Sequence, residues 1–128
     1  MEEANSTPLE VTLFHYLAWP DHGVPTNAIS MVNFIKKVRK AHPYDRQDLL
    51  LVHCSAGVGR TGTFITLDSM LERIKAEDSL NIYEFVSILR KQRVLMVQTA
   101  VSANLLPQNY IFVALIFSRV SIFSFMRY

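Results

Sequence analysis

Cys54 is the only cysteine in the 128-residue chain, and Arg60 follows it with five residues between them, two of which are glycine. Such a loop can curl until its backbone N–H groups point inward and surround a tetrahedral oxyanion. The same positive field favours thiolate over thiol, which makes Cys54 a candidate nucleophile with a lowered pKa. Arg60 offers a planar fork to two phosphate oxygens. We therefore predict phosphate chemistry, with the Thr61 hydroxyl hydrogen-bonded to the departing thiolate. A buried, inert cysteine beside a tight turn is the simpler alternative.

Two other phosphate-binding motifs match the same glycines. Gly57-Val-Gly59-Arg-Thr-Gly62 fits the dinucleotide pattern, and Glu77 or Asp78 follows at about the expected distance. That motif needs its acid at the end of a second parallel strand, whereas here a helix cap comes next. A nucleotide P-loop requires Lys and Ser/Thr after the last glycine, where the chain has Thr63 and Phe64. Both motifs are disfavoured.

Transfer of a phosphoryl group to sulfur also requires a proton for the leaving oxygen. Asp21 is the best candidate, because it lies in a loop bounded by two prolines and a glycine, a composition suited to a moving lid. Trp19 could be the apolar anchor of that lid. Taken alone, this stretch is more simply explained as a turn with Trp19 in the core.

The elements that must position these residues predict an α/β layer fold. Alternating apolar residues indicate a strand at 9–18, and a continuous apolar run indicates a buried strand at 49–52. Apolar residues at helical spacing predict three helices: from Thr26 or Asn27 to about Lys40, over 63–76, and from an Asn81 cap to about Arg93. Residues 94–97 fit either a strand or a turn, and 110–117 a last helix.

Composition excludes several classes of function. The net charge of +2 is too mild to indicate binding to nucleic acid or to an anionic membrane. One cysteine cannot form an internal disulfide, which favours a reducing compartment. The sequence lacks a signal-peptide pattern, and no run of about 18 uncharged apolar residues predicts a spanning helix.

Three motifs together resemble the protein tyrosine phosphatase catalytic domain. They are Trp19-Pro-Asp-His-Gly-Val-Pro25, His53-Cys-Ser-Ala-Gly-Val-Gly-Arg-Thr-Gly62 and Val97-Gln-Thr99. Their order matches the family, and residues 63–97 look most like its receptor-type branch. The resemblance covers roughly residues 9–99. The lid motif argues against a dual-specificity or lipid phosphatase.

The resemblance implies a role for each matching residue. Cys54 would form a cysteinyl-phosphate, Asp21 would be the general acid and then the base, and Gln98 would position the attacking water. The phosphoryl group would be held by Arg60 and the amides of the loop residues Ser55, Ala56, Gly57, Val58 and Gly59. His53, Thr61 and Trp19 would support these groups. The substrates would be phosphotyrosine-containing proteins, with no metal, cofactor or nucleic acid involved.

The resemblance also sets expectations for the domain. We expect a partial tyrosine-phosphatase fold, with a central mixed sheet flanked by helices and the N-terminal half of the domain absent. Residues 1–8 would be an N-terminal tail, 9–99 the partial catalytic domain and 100–128 an atypical apolar tail. The chain would be cytoplasmic, with membrane association only as part of a longer receptor-type chain. The alternative function is a catalytically impaired fragment or a phosphotyrosine-binding pseudophosphatase module.

Overall fold

The computed structural model of the protein describes residues 8, 10–21, 23, 25, 28–76 and 81–98. Within these ranges the chain forms three helices: α1 (Ala28–Ala41), α2 (Gly59–Arg73) and α3 (Ile82–Gln92). Both α1 and α3 pack against α2. The three helices predicted for these parts of the chain are confirmed, although α2 begins at Gly59, four residues earlier than expected.

The core lies between α1 and α2. The buried residues of α1 recur at helical spacing and are Met31, Val32, Ile35 and Val38. They belong to one buried cluster with Phe64, Leu67 and Leu71 of α2. Phe34 of α1 extends this cluster, because its ring lies 5.1 Å from that of Tyr16 and 6.0 Å from that of Phe64, measured between centroids. The predicted apolar faces of both helices are therefore the ones that meet.

A polar cluster fastens the end of α1 to the middle of α2. Arg39 Nε donates to Asp68 Oδ1 at 2.8 Å, and the Tyr44 hydroxyl donates to the same oxygen at 2.8 Å. The Arg39 guanidinium also lies 4.0 Å from the centroid of the Tyr44 ring. Because Asp68 is buried, these two donors satisfy a carboxylate that would otherwise be costly to remove from water.

α3 begins as predicted at a side-chain cap, since Asn81 Oδ1 accepts a hydrogen bond from the Glu84 amide at 3.0 Å. It differs from α1 and α2 in having no buried residue. The segment after it is a turn and not a strand, with left-handed backbone at Leu95 (φ 63°) and Val97 (φ 58°). Val97 is nevertheless fully buried, and its amide donates to the Val58 carbonyl at 3.0 Å.

The predicted central mixed sheet is wrong for the part of the chain that the structure describes. Residues 10–17 and 49–52 contain no strand there. The run at 49–52 is also not buried throughout as predicted: Leu50 and Val52 pack on the core, whereas Leu49 and Leu51 are 96% and 85% exposed. A strand requires a hydrogen-bonded neighbour as well as a pattern, and among the described residues no backbone–backbone hydrogen bond pairs either segment with a neighbour.

Some predictions lie outside the described residues: the Thr26 or Asn27 helix cap, Thr99, the tail at 100–128 and its helix at 110–117. Within the described ranges, no helix combines the length and apolar composition that crossing a membrane requires.

Candidate active site

The candidate nucleophile lies in the short loop that joins residues 49–52 to α2. Cys54 is half-buried and not disulfide-bonded. Gly57 turns the loop with φ at +69°, a left-handed conformation that residues with a side chain rarely adopt. A Cβ at this position would also lie 3.2 Å from Arg93 Nη2, closer than such contacts usually are. Both constraints explain why glycine is suited to the centre of the loop.

The first turn of α2 faces the sulfur. Val58 is the N-cap of this helix, no side chain caps it, and no acidic residue lies in the first turn. The N–H groups of an uncapped helix start remain available to an anion and carry the positive end of the helix dipole. Thr61, in this turn, donates its hydroxyl to Cys54 Sγ at 3.0 Å.

These donors lower the pKa of Cys54. Partial burial of the thiol is the largest single influence and acts in the opposite direction. The Thr61 hydroxyl and the backbone amides of Thr61, Gly57 and Val58 together outweigh it, because each stabilises the negative sulfur. The result is a thiol whose ionised form is favoured relative to an ordinary cysteine, as a nucleophile requires.

Arg60 links this loop to the segment that carries Asp21. The arginine is exposed in the first turn of α2, and its Nη2 donates to the Pro20 carbonyl at 3.0 Å. Its guanidinium carbon lies 5.8 Å from the centroid of the Trp19 ring. Trp19 is 9% exposed and donates from Nε1 to the Gly23 carbonyl at 3.1 Å. The structure thus places Asp21, itself exposed, directly after a residue that Arg60 contacts.

Gln98 reaches the same loop from the other end of the described chain. The backbone after α3 passes so close to α2 that a Cβ on Gly62 would lie 2.4 Å from the Val97 amide nitrogen. Only glycine permits this approach. Gln98 then lies beside Gly59, where a Cβ would be 3.5 Å from its Oε1.

A cavity of about 580 Å³ opens beside the nucleophile. The predicted site residues that line it are His53, Cys54, Ser55, Arg60 and Thr61, with Trp19. Phe34, Val38 and Phe64 are among its apolar walls. Asp21 and Gln98 are not among the lining residues, and neither are the loop residues Ala56, Gly57, Val58 and Gly59. The structure therefore places Thr61 in contact with Cys54 and Arg60 in the same cavity wall. Asp21 follows Pro20, which Arg60 contacts, and Gln98 lies beside Gly59.

Two arginines that the sequence analysis did not select also contact this region. Arg93 donates from Nε to the Gly57 carbonyl at 3.0 Å and from Nη2 to the Ala56 carbonyl at 3.1 Å. Arg90 donates to the carbonyls of Met96 and Val97, both at 2.9 Å. In the sequence they are typical of a basic helix end that complements the helix dipole, so no local signal distinguished them.

The described residues contain no group of three or more His, Cys, Asp or Glu side chains arranged to hold a metal ion.

Comparison with known proteins supports the predicted family. The family model described as "Protein-tyrosine phosphatase" matches residues 1–113. Among similar proteins, receptor-type tyrosine-protein phosphatase epsilon of Rattus norvegicus is 44% identical over 108 residues, covering 84% of this chain and 15% of that protein. Receptor-type tyrosine-protein phosphatase alpha of Mus musculus is 49% identical over 89 residues, covering 70% of this chain and 11% of that protein.

The chain therefore spans less than a sixth of the length of these two relatives. A third relative, receptor-type tyrosine-protein phosphatase S of Gallus gallus, is 48% identical over 98 residues, covering 77% of this chain and 6% of that protein. The family match includes the loop around Cys54, the segment around Asp21 and Gln98. The predicted family is confirmed: this chain belongs to the protein-tyrosine phosphatase family.

Proposed function

We propose that this chain hydrolyses phosphotyrosine in proteins through a cysteinyl-phosphate intermediate. In the first step the Cys54 thiolate attacks phosphorus, an S–P bond forms and the bond from phosphorus to the tyrosine oxygen breaks. Asp21 gives its carboxylic proton to the departing phenolate. Arg60 and the amides of Ser55, Ala56, Gly57, Val58, Gly59 and Arg60 hold the three non-bridging oxygens.

In the second step water replaces sulfur. Gln98 positions a water molecule, the Asp21 carboxylate takes its proton, and the oxygen attacks phosphorus. The S–P bond breaks, inorganic phosphate leaves, and the thiolate is restored with Asp21 protonated again. Thr61 stabilises the departing sulfur through its hydroxyl hydrogen bond, while His53 and Trp19 support the two loops.

The contact of the Thr61 hydroxyl with Cys54 Sγ carries this proposal. A hydroxyl, three amides and an uncapped helix start converge on one sulfur and lower the pKa of its thiol. Arg60 lies in the same helical turn and lines the same cavity, so the nucleophile and an oxyanion-binding fork are neighbours. An inert structural cysteine has no need of this arrangement.

The substrate class follows from the family and from the names of the relatives. The similar curated proteins are named as receptor-type tyrosine-protein phosphatases. A thiolate nucleophile also requires a reducing compartment to stay reduced, so we place the reaction in the cytoplasm. Membrane association would then belong to a longer receptor-type chain.

Hydrolysis of a small aryl phosphate by the purified chain tests the proposal. We expect vanadate-sensitive turnover that Cys54→Ser abolishes and that Asp21→Ala lowers by about 10²–10⁴-fold, the usual size of an acid–base contribution. Asp45→Ala is the matched control, because Asp45 is also an exposed loop aspartate and has no proposed role. Wild-type turnover in Cys54→Ser would disprove the mechanism. Binding of the aryl phosphate without turnover would show a phosphotyrosine-binding module.

A further inference from the structure

Arg93 hydrogen-bonds to two successive peptide groups of the loop that follows Cys54. The first joins Ala56 to Gly57 and the second joins Gly57 to Val58. Arg93 donates from Nη2 to the Ala56 carbonyl at 3.1 Å and from Nε to the Gly57 carbonyl at 3.0 Å. A planar guanidinium fork suits such a pair of neighbouring acceptors, which a lysine ammonium cannot match in geometry.

The geometry of the peptide bond decides how these two hydrogen bonds orient the neighbouring N–H groups. No cis peptide occurs among the described residues, and in a planar trans peptide the C=O and N–H groups point in opposite directions. Because the Ala56 carbonyl points toward Arg93, the Gly57 N–H of the same peptide points away from Arg93. Holding the Gly57 carbonyl turns the Val58 N–H away likewise. Those two amides are among the groups that stabilise the Cys54 sulfur.

We propose that Arg93 is a positioning residue, which fixes the Ala56–Gly57 and Gly57–Val58 peptide groups so that their N–H groups face the reacting centre. The role rests on the proposed function, since the same amides would bind the phosphoryl group. Arg93 acts through these peptides and touches neither the sulfur nor the substrate.

The end of α3 is built to hold Arg93 in this place. Arg93 is the C-cap of the helix, and its amide still donates to the Leu89 carbonyl at 2.9 Å. One turn earlier, Arg90 bonds to the carbonyls of Met96 and Val97, the backbone that packs on Gly62. These directional contacts connect α3 to the site, while Ile82 and Val86 pack on the edge of the core. The end of α3 thus hydrogen-bonds to the Cys54 loop through Arg93 and to the segment leading to Gln98 through Arg90.

The pH dependence of Cys54 alkylation tests the inference, because the chain has one cysteine and the reaction needs no turnover. Iodoacetamide is the probe, and its rate follows the thiolate fraction. In Arg93→Met we expect the profile to move to higher pH and the rate at mildly acidic pH to fall roughly tenfold, as hydrogen bonds to the thiolate are lost. Lys91→Met, which removes one positive charge from the same helix end, should change the rate less than twofold.

Arg93→Lys separates geometry from charge. It keeps the positive charge but loses the fork, so we expect its profile to resemble that of Arg93→Met. The titratable or charged residues that line the cavity with Cys54 are unchanged in every variant and are His15, Tyr16, His53 and Arg60. If Arg93→Met loses helical circular dichroism, Arg93→Lys decides by the same measurement.

A wild-type alkylation profile in folded Arg93→Met or in Arg93→Lys overturns the inference. Its failure is distinguishable from failure of the proposed function. A shifted profile in a chain that hydrolyses no aryl phosphate would leave the positioning role standing and remove the hydrolase. Normal hydrolysis with an unshifted profile would do the reverse.

Discussion

α1 and α3 both pack on α2, but they contribute to the protein in different ways. α1 places four hydrophobic side chains in the core and adds the Arg39 contact with Asp68. α3 has no fully buried residue, although Ile82 and Val86 pack on the edge of the core, and it reaches the site through hydrogen bonds from Arg90 and Arg93 to backbone carbonyls. One helix therefore stabilises α2, and the other shapes the loop that α2 begins.

The difference follows from the physics of the two kinds of contact. Burial of apolar surface contributes about 25 cal/mol per Å² and has no preferred direction, so it favours compactness without fixing a particular peptide plane. A hydrogen bond from a guanidinium depends on distance and angle and can hold one carbonyl in one orientation. We expect substitutions in the α1–α2 contact to change the free energy of unfolding, and substitutions around Cys54 to change thiol chemistry.

The largest effect is expected at Ile35 of α1, with Ile88 of α3 as its matched control. Ile35 of α1 is 1% exposed and Ile88 of α3 is 45% exposed. Ile35→Ala leaves a cavity and should lower the free energy of unfolding by about 2–5 kcal/mol, whereas Ile88→Ala should cost less than about 1 kcal/mol. Urea denaturation followed by circular dichroism measures both. Equal losses would contradict the division between the two helices.

A smaller effect is expected at Asp68, whose carboxylate accepts from Arg39 and Tyr44. Asp68→Asn should lower the free energy of unfolding by about 1–3 kcal/mol, because one buried oxygen is replaced by a donor facing other donors. Asp48→Asn is the matched control. Asp48 also accepts from an arginine, Arg46, but its side chain is 52% exposed against 8% for Asp68, and exposed pairs contribute little.

Cys54 alkylation should be unchanged in both aspartate variants. A large shift of the alkylation profile in Asp68→Asn would show that the α1–α2 core and the Cys54 site are coupled, and would contradict the division of roles between α1 and α3.

The smallest effect on stability, with a clear effect on chemistry, is expected at Thr61. Thr61→Val removes the hydroxyl that donates to Cys54 Sγ, so the pKa of the thiol rises. The thiolate fraction below that pKa falls, and alkylation at mildly acidic pH should slow by about fivefold, the size of one lost hydrogen bond. Thr63→Val, two residues along α2, is the control, since its hydroxyl donates to the Gly59 carbonyl. An equal slowing in both variants would mean that disturbance of the helix, and not the hydrogen bond, is responsible.

The helices were predictable because their signals are local. The apolar spacing of α1 and the Asn81 cap of α3 each lie within a few residues, and tertiary packing did not override them. The continuous apolar run at 49–52 was an equally clear local pattern, yet no strand was found there. A sheet depends on partners distant in sequence, and an apolar run cannot say whether a partner is there.

The candidate site divides in the same way. The sequence by itself determined that Cys54, Arg60 and Thr61 would come together, because a short glycine loop leading into a helix leaves them little freedom. It also identified the family. The family resemblance further implied that Asp21 and Gln98 belong to the site. Only the tertiary structure decided which atoms meet around the loop: the Pro20 carbonyl on Arg60, Gln98 beside Gly59, and Arg93 on the carbonyls of Ala56 and Gly57. Their approach depends on how α3 and the segment at 10–21 pack on α2, and no spacing within a single segment encodes such a contact.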